Sequence, residues 1–211
     1  MATLGVMKAR IADEIARSDL TSQIALAIQT AIEFHDGKRF SFNEAQDTFS
    51  TVAAQEWYTE TDATWIIDVR RFDSVRITVS GRPYPLTKRT FAWMERFSAG
   101  TPTSGDPTDY CYYKRNIRLY PVPNAVRTIS VSYVQKLEDL ATDADENAWT
   151  DEAEELTRLR AKIILFEDVI RDDAAFKEAD RIRLKEGEVL SKMITQYNAS
   201  GGAGFLVAET L

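Results

Sequence analysis

Apolar residues near both ends of the chain recur every three or four positions, which is the spacing of helices that bury one face. The first two helices are separated by the polar run Ser18–Ser22, whose side-chain oxygens we expect to cap the second helix. We expect Gly37 to end that helix in the left-handed conformation. Four helices are predicted, with buried stripes at Met7, Ile11 and Ile15; at Ile24, Ile28 and Ile32; at Leu156, Leu159, Ile163, Phe166 and Ile170; and at Ile182, Val189, Met193 and Tyr197.

Between the two helical regions the apolar positions change to a period of two, which predicts β-strands. In Arg127–Gln135 large apolar residues alternate with Thr and Ser, as in a sheet with one solvated face. A short helix capped by Thr87 is predicted at Leu86–Phe97, and Ala99–Thr108 is predicted to be an exposed loop. The other strands are predicted at Arg39–Phe42, Phe49–Val52, Trp57–Thr59, Ile66–Val69, Ser74–Val79, Tyr110–Tyr113 and Ile117–Tyr120.

This order of elements predicts an α+β fold. An antiparallel helical bundle would be built from the N- and C-terminal helices, with a β-rich domain inserted between them and a flexible C-terminal tail. The predicted helical domain comprises residues 1–38 and 138–198, the inserted domain residues 39–137, and the tail residues 199–211. A chain of 211 residues is long enough for these parts to have hydrophobic cores.

The chain is acidic, with 26 Lys and Arg against 33 Asp and Glu and a formal charge of −7. An acidic chain is poorly suited to wrapping duplex DNA, because neutralising phosphates requires clustered Lys and Arg. No stretch approaches about 18 uninterrupted apolar residues, so we expect no membrane span and no signal peptide. Cys111 is the single cysteine and cannot form an internal disulfide, which fits folding in a reducing cytoplasm.

Residues suited to catalysis are few and scattered. His35 is the only histidine and is expected to serve a structural role at a helix end. Cys111 lies in an aromatic strand, where a buried and unreactive thiol is the simpler interpretation. The run Glu138–Glu155 holds nine acidic residues and no basic one, which is typical of a solvated face but could supply a glycosidase-type carboxylate pair. We predict no catalytic, cofactor-binding or metal-binding residue, no cofactor, and a protein that is not an enzyme.

One group of basic and aromatic residues is a candidate interface with a neighbouring subunit or a tail protein. Such a group could contact nucleic acid. Tyr and Arg are also favoured at protein interfaces, and we prefer a protein contact in which this patch meets an acidic face such as Glu138–Glu155 of a neighbour. The candidate residues are Tyr112, Tyr113, Lys114, Arg115, Arg118, Tyr120 and Arg127.

The last residues of the chain suggest a second contact. In Ala199–Leu211 a Gly-rich stretch is followed by an apolar tip. Exposed apolar segments mark interaction sites more often than surface of no function, although a disordered terminus is the alternative. The candidate partner-binding residues are Phe205, Leu206, Val207 and Leu211.

Three stretches of the chain resemble one family. The helix followed by Ser-Asp-Leu-Thr-Ser-Gln-Ile, an Ala-rich helix and Lys-Arg-Phe-Ser-Phe-Asn-Glu is similar to the head-to-tail adaptor proteins of tailed bacteriophages, also called head-completion or connector proteins. Asn116–Pro123 and Asn147–Ala161 resemble the same family. The likeness reaches the start, middle and end of the chain, through motifs that are structural rather than chemical.

The resemblance implies a structural virion protein at the neck between head and tail, assembled in the bacterial host cytoplasm. It implies a closed homo-oligomeric ring, a dodecamer, that binds the portal protein and a tail or nozzle protein. Duplex DNA would pass through the lumen without sequence-specific binding, and no membrane would be involved. The apolar C-terminal residues would bind the portal. Alternatives are another neck component, such as a tail-completion or stopper protein, a carboxylate-based hydrolase, and a cytosolic helical regulator that binds nucleic acid.

Overall fold

The computed structural model describes residues 2–99 and 103–199 and shows a mixed α+β fold, as predicted. The described residues form two compact units. One is Asn43–Lys136, and the other consists of the described residues before and after that range. The described part contains five α-helices, which are α1 (Leu4–Glu14), α2 (Thr21–Asp36), α3 (Phe91–Ser98), α4 (Glu154–Ile164) and α5 (Asp173–Ala199).

In the helical unit, α1 packs against α2 and α4, α2 packs against α4, and α4 packs against α5. The apolar stripes of the sequence supply the core, since Met7, Ile11, Ile24 and Ile28 are all buried. The end of α4 continues into a π-helical segment, Leu165–Ile170. The other buried apolar residues of the helical unit include Leu4, Leu20, Ala27, Ala31, Leu140, Leu156, Leu159, Ala161, Ile163 and Leu165.

Both ends of α2 differ from the prediction. Leu20 occupies the N-cap position, and no side chain caps the helix. The carboxylate of Asp19 binds Arg17 instead, with Nε–Oδ1 at 2.7 Å, so this acid is not available to the free amides. At the other end, Gly37 has a φ of −78° and lies in the right-handed region. The predicted left-handed termination was therefore wrong.

The predicted strand at Arg39–Phe42 was also wrong. The rings of Phe40 and Phe42 stack with centroids 5.0 Å apart, and both meet Trp149 edge to face, at 5.7 Å and 5.1 Å. The chain turns there through a short 3₁₀ segment, Ser41–Asn43. The two aromatic residues alternate along the chain because both pack on one tryptophan of the helical unit, not because they face one side of a sheet.

The β-rich unit contains two four-stranded sheets and one short strand pair. The first sheet has the order β1-β10-β3-β4 and is antiparallel throughout. The second has the order β2-β8-β7-β5, with β5 parallel to β7. β6 pairs with β9 in parallel. The strands are β1 (Glu44–Ser50), β2 (Trp57–Tyr58), β3 (Val69–Val79), β4 (Arg82–Pro85), β5 (Thr87–Lys88), β6 (Ser104–Gly105), β7 (Asp109–Tyr113), β8 (Asn116–Tyr120), β9 (Val122–Pro123) and β10 (Thr128–Gln135).

The two larger sheets share one apolar core, to which alternate residues of β10 and β3 contribute. Ile129, Val131 and Tyr133 of β10 are all buried in it, as the alternation predicts. The hydroxyl of Tyr133 donates to Asp47 on β1 at 2.9 Å. From the second sheet, Ile117 and Leu119 reach the same core.

Three local predictions in this unit were wrong. Most of the predicted strand Ile66–Val69 lies in a 3₁₀ helix, Thr64–Asp68. Helix α3 begins at Phe91 and is capped by Thr90, whose Oγ1 accepts from the amide of Trp93 at 3.3 Å. Thr87 belongs instead to β5, because its amide donates to the carbonyl oxygen of Thr108. Part of the predicted exposed loop is strand β6, although residues 100–102 of that loop lie outside the described part of the chain.

Candidate interface of the β-rich unit

The β7–β8 hairpin places two cations at its tip. Tyr113 and Asn116 are paired across the strands, and Lys114 and Arg115 form the two-residue turn between them. Their φ angles are 51° and 60°, the left-handed values that a turn of this length requires. Both side chains are exposed, and the Lys114 ammonium lies 5.7 Å from the centroid of the Tyr113 ring. The hairpin therefore presents a tyrosine and two positive charges to solvent.

Arg118 lies beneath this surface and holds it together. Its side chain is only 6% exposed, and its Nε donates to Glu56 Oε1 at 2.6 Å while its Nη1 binds Glu95. The guanidinium lies over the rings of Trp57, at 5.1 Å, and Phe91, at 5.9 Å. Burial works to lower the pKa of Arg118, but the hydrogen bonds to the two carboxylates outweigh it and raise the pKa. Arg118 is thus a buried support of the candidate interface.

Aromatic side chains of α3 and the hairpin stack in pairs around this arginine. Phe91 stacks on Tyr113 with centroids 4.0 Å apart, and Trp93 stacks on Phe97 at 4.2 Å. The Arg89 guanidinium lies 4.8 Å above Trp93, and its Nε binds Asp109 at 2.6 Å. We call this set the aromatic surface, and its members are Trp57, Phe91, Trp93, Phe97, Tyr113 and Tyr120.

The aromatic surface lies outside the apolar core of the unit. Phe97 is 48% exposed and Tyr113 is 38% exposed. Tyr120 meets Trp93 edge to face at 5.8 Å, and its hydroxyl lies 3.3 Å from that of Thr103. Exposed, closely stacked rings of this kind are typical of protein interfaces, because rigid aromatic side chains lose little conformational entropy on binding.

The predicted interface residues do not all share one face. Tyr112 lies on the opposite side of β7 from Tyr113, packs against the core, and donates to the carbonyl oxygen of Ile66 at 2.7 Å. Arg127 lies at the start of β10, where its Nε donates to Asp106 at 2.8 Å. Tyr113, Lys114, Arg115 and Tyr120 reach the surface near α3.

Four members of the aromatic surface were not among the predicted interface residues. Trp57 was predicted to lie in a strand, and Phe91, Trp93 and Phe97 in the short helix Leu86–Phe97. One signal was present in the sequence, because three aromatic residues in so short a helix cannot all face a core. In the structure only Met94 of α3 is buried. An eight-residue helix with a single inward position leaves its remaining large side chains at the surface.

Cys111 is buried, as expected, and lies across from Arg118 in the β7–β8 pairing. Burial raises the pKa of its thiol. A thiol kept in its protonated form is a poor nucleophile, so Cys111 serves as a small packing residue.

His35 lies at the end of α2 and is also buried. Its Nε2 lies 3.0 Å from Oε1 of Glu186 on α5, and both side chains are at most 3% exposed. Arg160 of α4 approaches the other carboxylate oxygen at 3.6 Å and stacks on the Phe34 ring at 3.5 Å. Burial lowers the pKa of His35, an effect that Glu186 opposes. The sequence placed His35 at the helix end but gave no sign of this partner.

The acidic run 138–155 is partly used to hold its own segment together. Asp145 accepts from the hydroxyl of Thr142 and from the amides of Thr142 and Ala141, and these bonds, the hydroxyl's first, lower its pKa. Asp143 binds Lys8 at 2.7 Å, and Glu154 binds Arg10 at 2.7 Å. Among the described residues, no group of three or more His, Cys, Asp or Glu could hold a metal ion.

The candidate portal-binding residues Phe205, Leu206, Val207 and Leu211 lie outside the described residues.

The model of one protein family, the SU10 adaptor proteins, matches residues 2–194. The chain belongs to this family. Its members are phage head-to-tail adaptors, so the protein is a structural adaptor of a bacteriophage, a component of the virion, and by the kind of its family not an enzyme. An adaptor interacts with other head and tail proteins of the phage.

No curated protein matches the adaptor sequence. Among the described residues, no helix of the adaptor is both long enough and apolar enough to cross a membrane.

Proposed function

We propose that the chain is the head-to-tail adaptor of a tailed phage and that it assembles as a closed dodecameric ring between the capsid portal and the tail. The single observation that carries this function is the family match over residues 2–194. In this proposal α1, α2, α4 and α5 form an antiparallel bundle, and the ring is assembled in the bacterial host cytoplasm. The β-rich unit contacts neighbours and a tail or nozzle protein, and the helical unit with the C-terminal tail points to the portal.

The ring would extend the DNA channel and help to retain the packaged genome until ejection. The charge of the chain supports passage without tight binding, because its formal charge is −7. A predominantly acidic wall does not hold duplex DNA in place during passage.

The portal contact is assigned to the apolar end of the chain. Phe205, Leu206, Val207 and Leu211 follow a Gly-rich stretch, and apolar segments of this kind often mark interaction sites. The subunit and tail contacts are assigned to Tyr113, Lys114, Arg115, Tyr120 and Arg127. Tyr112 and Arg118 support that surface from the core side.

The decisive test is the mass of the adaptor in solution, measured by light scattering with and without purified portal protein. We expect a monomer alone and a large complex of ring stoichiometry when portal is added. A chain that does not bind the portal but binds a tail protein would instead be a tail-completion or stopper protein. A chain that binds neither would contradict the adaptor function.

The assignment of the C-terminal residues has its own test. Deleting 199–211 should abolish portal binding, while the helix content by circular dichroism and the melting temperature stay unchanged. The matched control keeps the length and composition of this segment but scrambles its order. Unchanged portal affinity in the deletion variant would remove the assignment and leave the adaptor proposal intact.

A further inference from the structure

We propose, resting on the ring assembly above, that the aromatic surface of one copy docks on the acidic segment of the next copy. We define the acidic segment as residues 138–152 and include Lys88, Arg96, Lys114 and Arg115 as the rim of the aromatic surface. The two patches lie in different parts of one chain, so the contact is heterologous. A heterologous contact closes into a ring when its rotation permits.

The aromatic surface is a rigid platform. Four of its rings form two stacked pairs, with centroids 4.0 Å and 4.2 Å apart. The Arg118 guanidinium lies over the rings of Trp57 and Phe91. Arg118 cannot turn away without breaking its bonds to the carboxylates of Glu56 and Glu95. A surface that is already ordered pays little entropy when a partner covers it.

The charge around this platform is positive. Three carboxylates beside it are held by arginines, with Asp109 bound to Arg89, and Glu56 and Glu95 bound to Arg118. The rim residues Lys88, Arg96, Lys114 and Arg115 are exposed, and none has an ion-pair partner within the described residues. Four cations around an apolar centre fit an acidic protein surface.

The acidic segment has the complementary properties. Glu138, Glu146, Asp151 and Glu152 are exposed, and none forms an ion pair with another described residue. Between them, Ala141 and Ala144 expose small apolar side chains that flat aromatic rings can cover.

The acidic segment is also ordered before docking. Asp145 closes its turn by accepting from Ala141 and Thr142. The amides of Leu4 and Gly5 donate to the carbonyl oxygens of Asp145 and Asp143, at 2.9 Å and 3.0 Å, which ties the segment to the start of α1. Two preorganised patches of opposite charge on one chain favour a second copy over duplex DNA as the occupant, since DNA offers no apolar surface at its phosphates.

The proposal is tested by charge reversal at exposed positions. The patch variant carries Arg96→Glu and Lys114→Glu, and the segment variant carries Glu146→Lys and Asp151→Lys. Each should assemble on portal protein at least tenfold more weakly than the wild-type chain, because like charges face each other at the contact. Melting temperatures show whether each variant is folded, and Glu60→Lys, an exposed change outside both patches, is the control.

The decisive sample is the equimolar mixture of the two variants. In the mixture every contact can join opposite charges again, with variants alternating around the ring, so assembly should return to the wild-type level. Recovery supports the contact. The contact would be overturned if each variant alone assembled on portal as well as the wild-type chain does. It would also be overturned if the mixture assembled no better than the separate variants.

The outcome can be separated from that of the proposed function. If the wild-type chain forms the complex with portal and the variants do too, the contact is wrong and the adaptor function stands. If the wild-type chain does not bind portal, the adaptor function fails. The contact is then judged by sedimentation without portal, at a protein concentration at which the wild-type chain associates with itself. Association that is lost in each variant and recovered in the mixture supports the contact, and association that the charge reversals leave unchanged refutes it.

Discussion

Nε2 of His35 on α2 lies 3.0 Å from Oε1 of Glu186 on α5, with both side chains almost wholly removed from solvent. Helices α2 and α5 each pack against α4 and against the π-helical segment that continues it. The polar pair between His35 and Glu186 thus joins helices from the two ends of the sequence. Arg160 of α4 lies 3.6 Å from the second carboxylate oxygen. The contact therefore links the stability of the helical unit to the protonation of His35, whose ordinary pKa is 6.5.

We expect acidification to destabilise the helical unit through His35. Burial lowers its pKa below the ordinary value of 6.5, and the nearby Lys38 and Arg160 act in the same direction, while Glu186 opposes them. The unfolded chain therefore takes up the proton before the folded chain does. The stability is present above pH 6.5 and is lost as the pH falls below it, by at most about 1.4 kcal/mol per pH unit for one group.

The measurement is the free energy of unfolding in urea at several pH values between 8 and about 5. Other acids titrate toward the lower end of this range, so the wild-type chain is compared with His35→Gln. The difference between the two should shrink as the pH falls. A constant difference would show that His35 does not carry the pH dependence.

Replacing Glu186 should destabilise the protein more than replacing its exposed neighbour. Glu186→Ala leaves His35 and Arg160 without this carboxylate partner inside the helical unit. Breaking a buried polar pair in this way costs about 3 kcal/mol. Glu188→Ala on the exposed side of the same helix is the control and should change the free energy of unfolding by less than about 0.5 kcal/mol. Equal effects of the two substitutions would argue against a structural role for the buried pair.

Two glycines should respond oppositely to alanine. A Cβ at Gly5 would lie 3.0 Å from both Cβ and the carbonyl oxygen of Asp143, so the acidic segment would have to move. We expect Gly5→Ala to destabilise by about 1 kcal/mol, because overpacking outweighs the gain in helix propensity. A Cβ at Gly187 meets nothing within 4 Å, so Gly187→Ala should stabilise by about 0.5–1 kcal/mol. Thermal unfolding of the two variants compares them directly. An increase in melting temperature for Gly5→Ala as well would contradict the predicted clash with Asp143.

Removing Arg118 should loosen the aromatic surface. Arg118→Met keeps much of the side-chain volume but leaves Glu56 and Glu95 without their cation. We expect the free energy of unfolding to fall by about 2–3 kcal/mol. This is less than the cost of breaking a fully buried ion pair, because Glu95 is 56% exposed and can be solvated. Near-ultraviolet circular dichroism should weaken because the rings of Trp57 and Phe91 lose their contact with the guanidinium. Arg127→Met, which breaks the more exposed pair with Asp106, is the control, and an unchanged spectrum for Arg118→Met would contradict the role as a support.

Periodicity predicted the helices and the central strands because their burial repeats over many residues. Met7, Ile11, Ile24 and Ile28 are buried where the 3.6-residue repeat places them, and Ile129 and Val131 are buried where the two-residue repeat does. Over short stretches the repeat fails as a guide. Phe40 and Phe42 alternate like strand residues but pack together on Trp149.

The sequence predicted the hairpin residues of the candidate interface but not the residues that support them. Its hairpin residues are neighbours along the chain, and the alternation of Tyr with Lys and Arg marked them. Its support is made by contacts between distant residues, since Arg118 binds Glu56, 62 positions earlier, and Glu95, 23 positions earlier. No local pattern encodes which carboxylate an arginine will find, so burial of Arg118 emerges only from the folded chain.

The strand that opens the β-rich unit and the strand that closes it are hydrogen-bonded neighbours, with Glu44 paired to Val134. The entry and exit points of the insertion are therefore held side by side by the insertion itself. While that unit is unfolded, the two halves of the helical unit are joined by a long flexible loop, and bringing them together carries the entropic penalty of closing it. Once β1 and β10 have paired, the loop is already closed. The pairing of the two strands should thus accelerate folding of the helical unit, and substitutions that weaken this pairing should lower the folding rate.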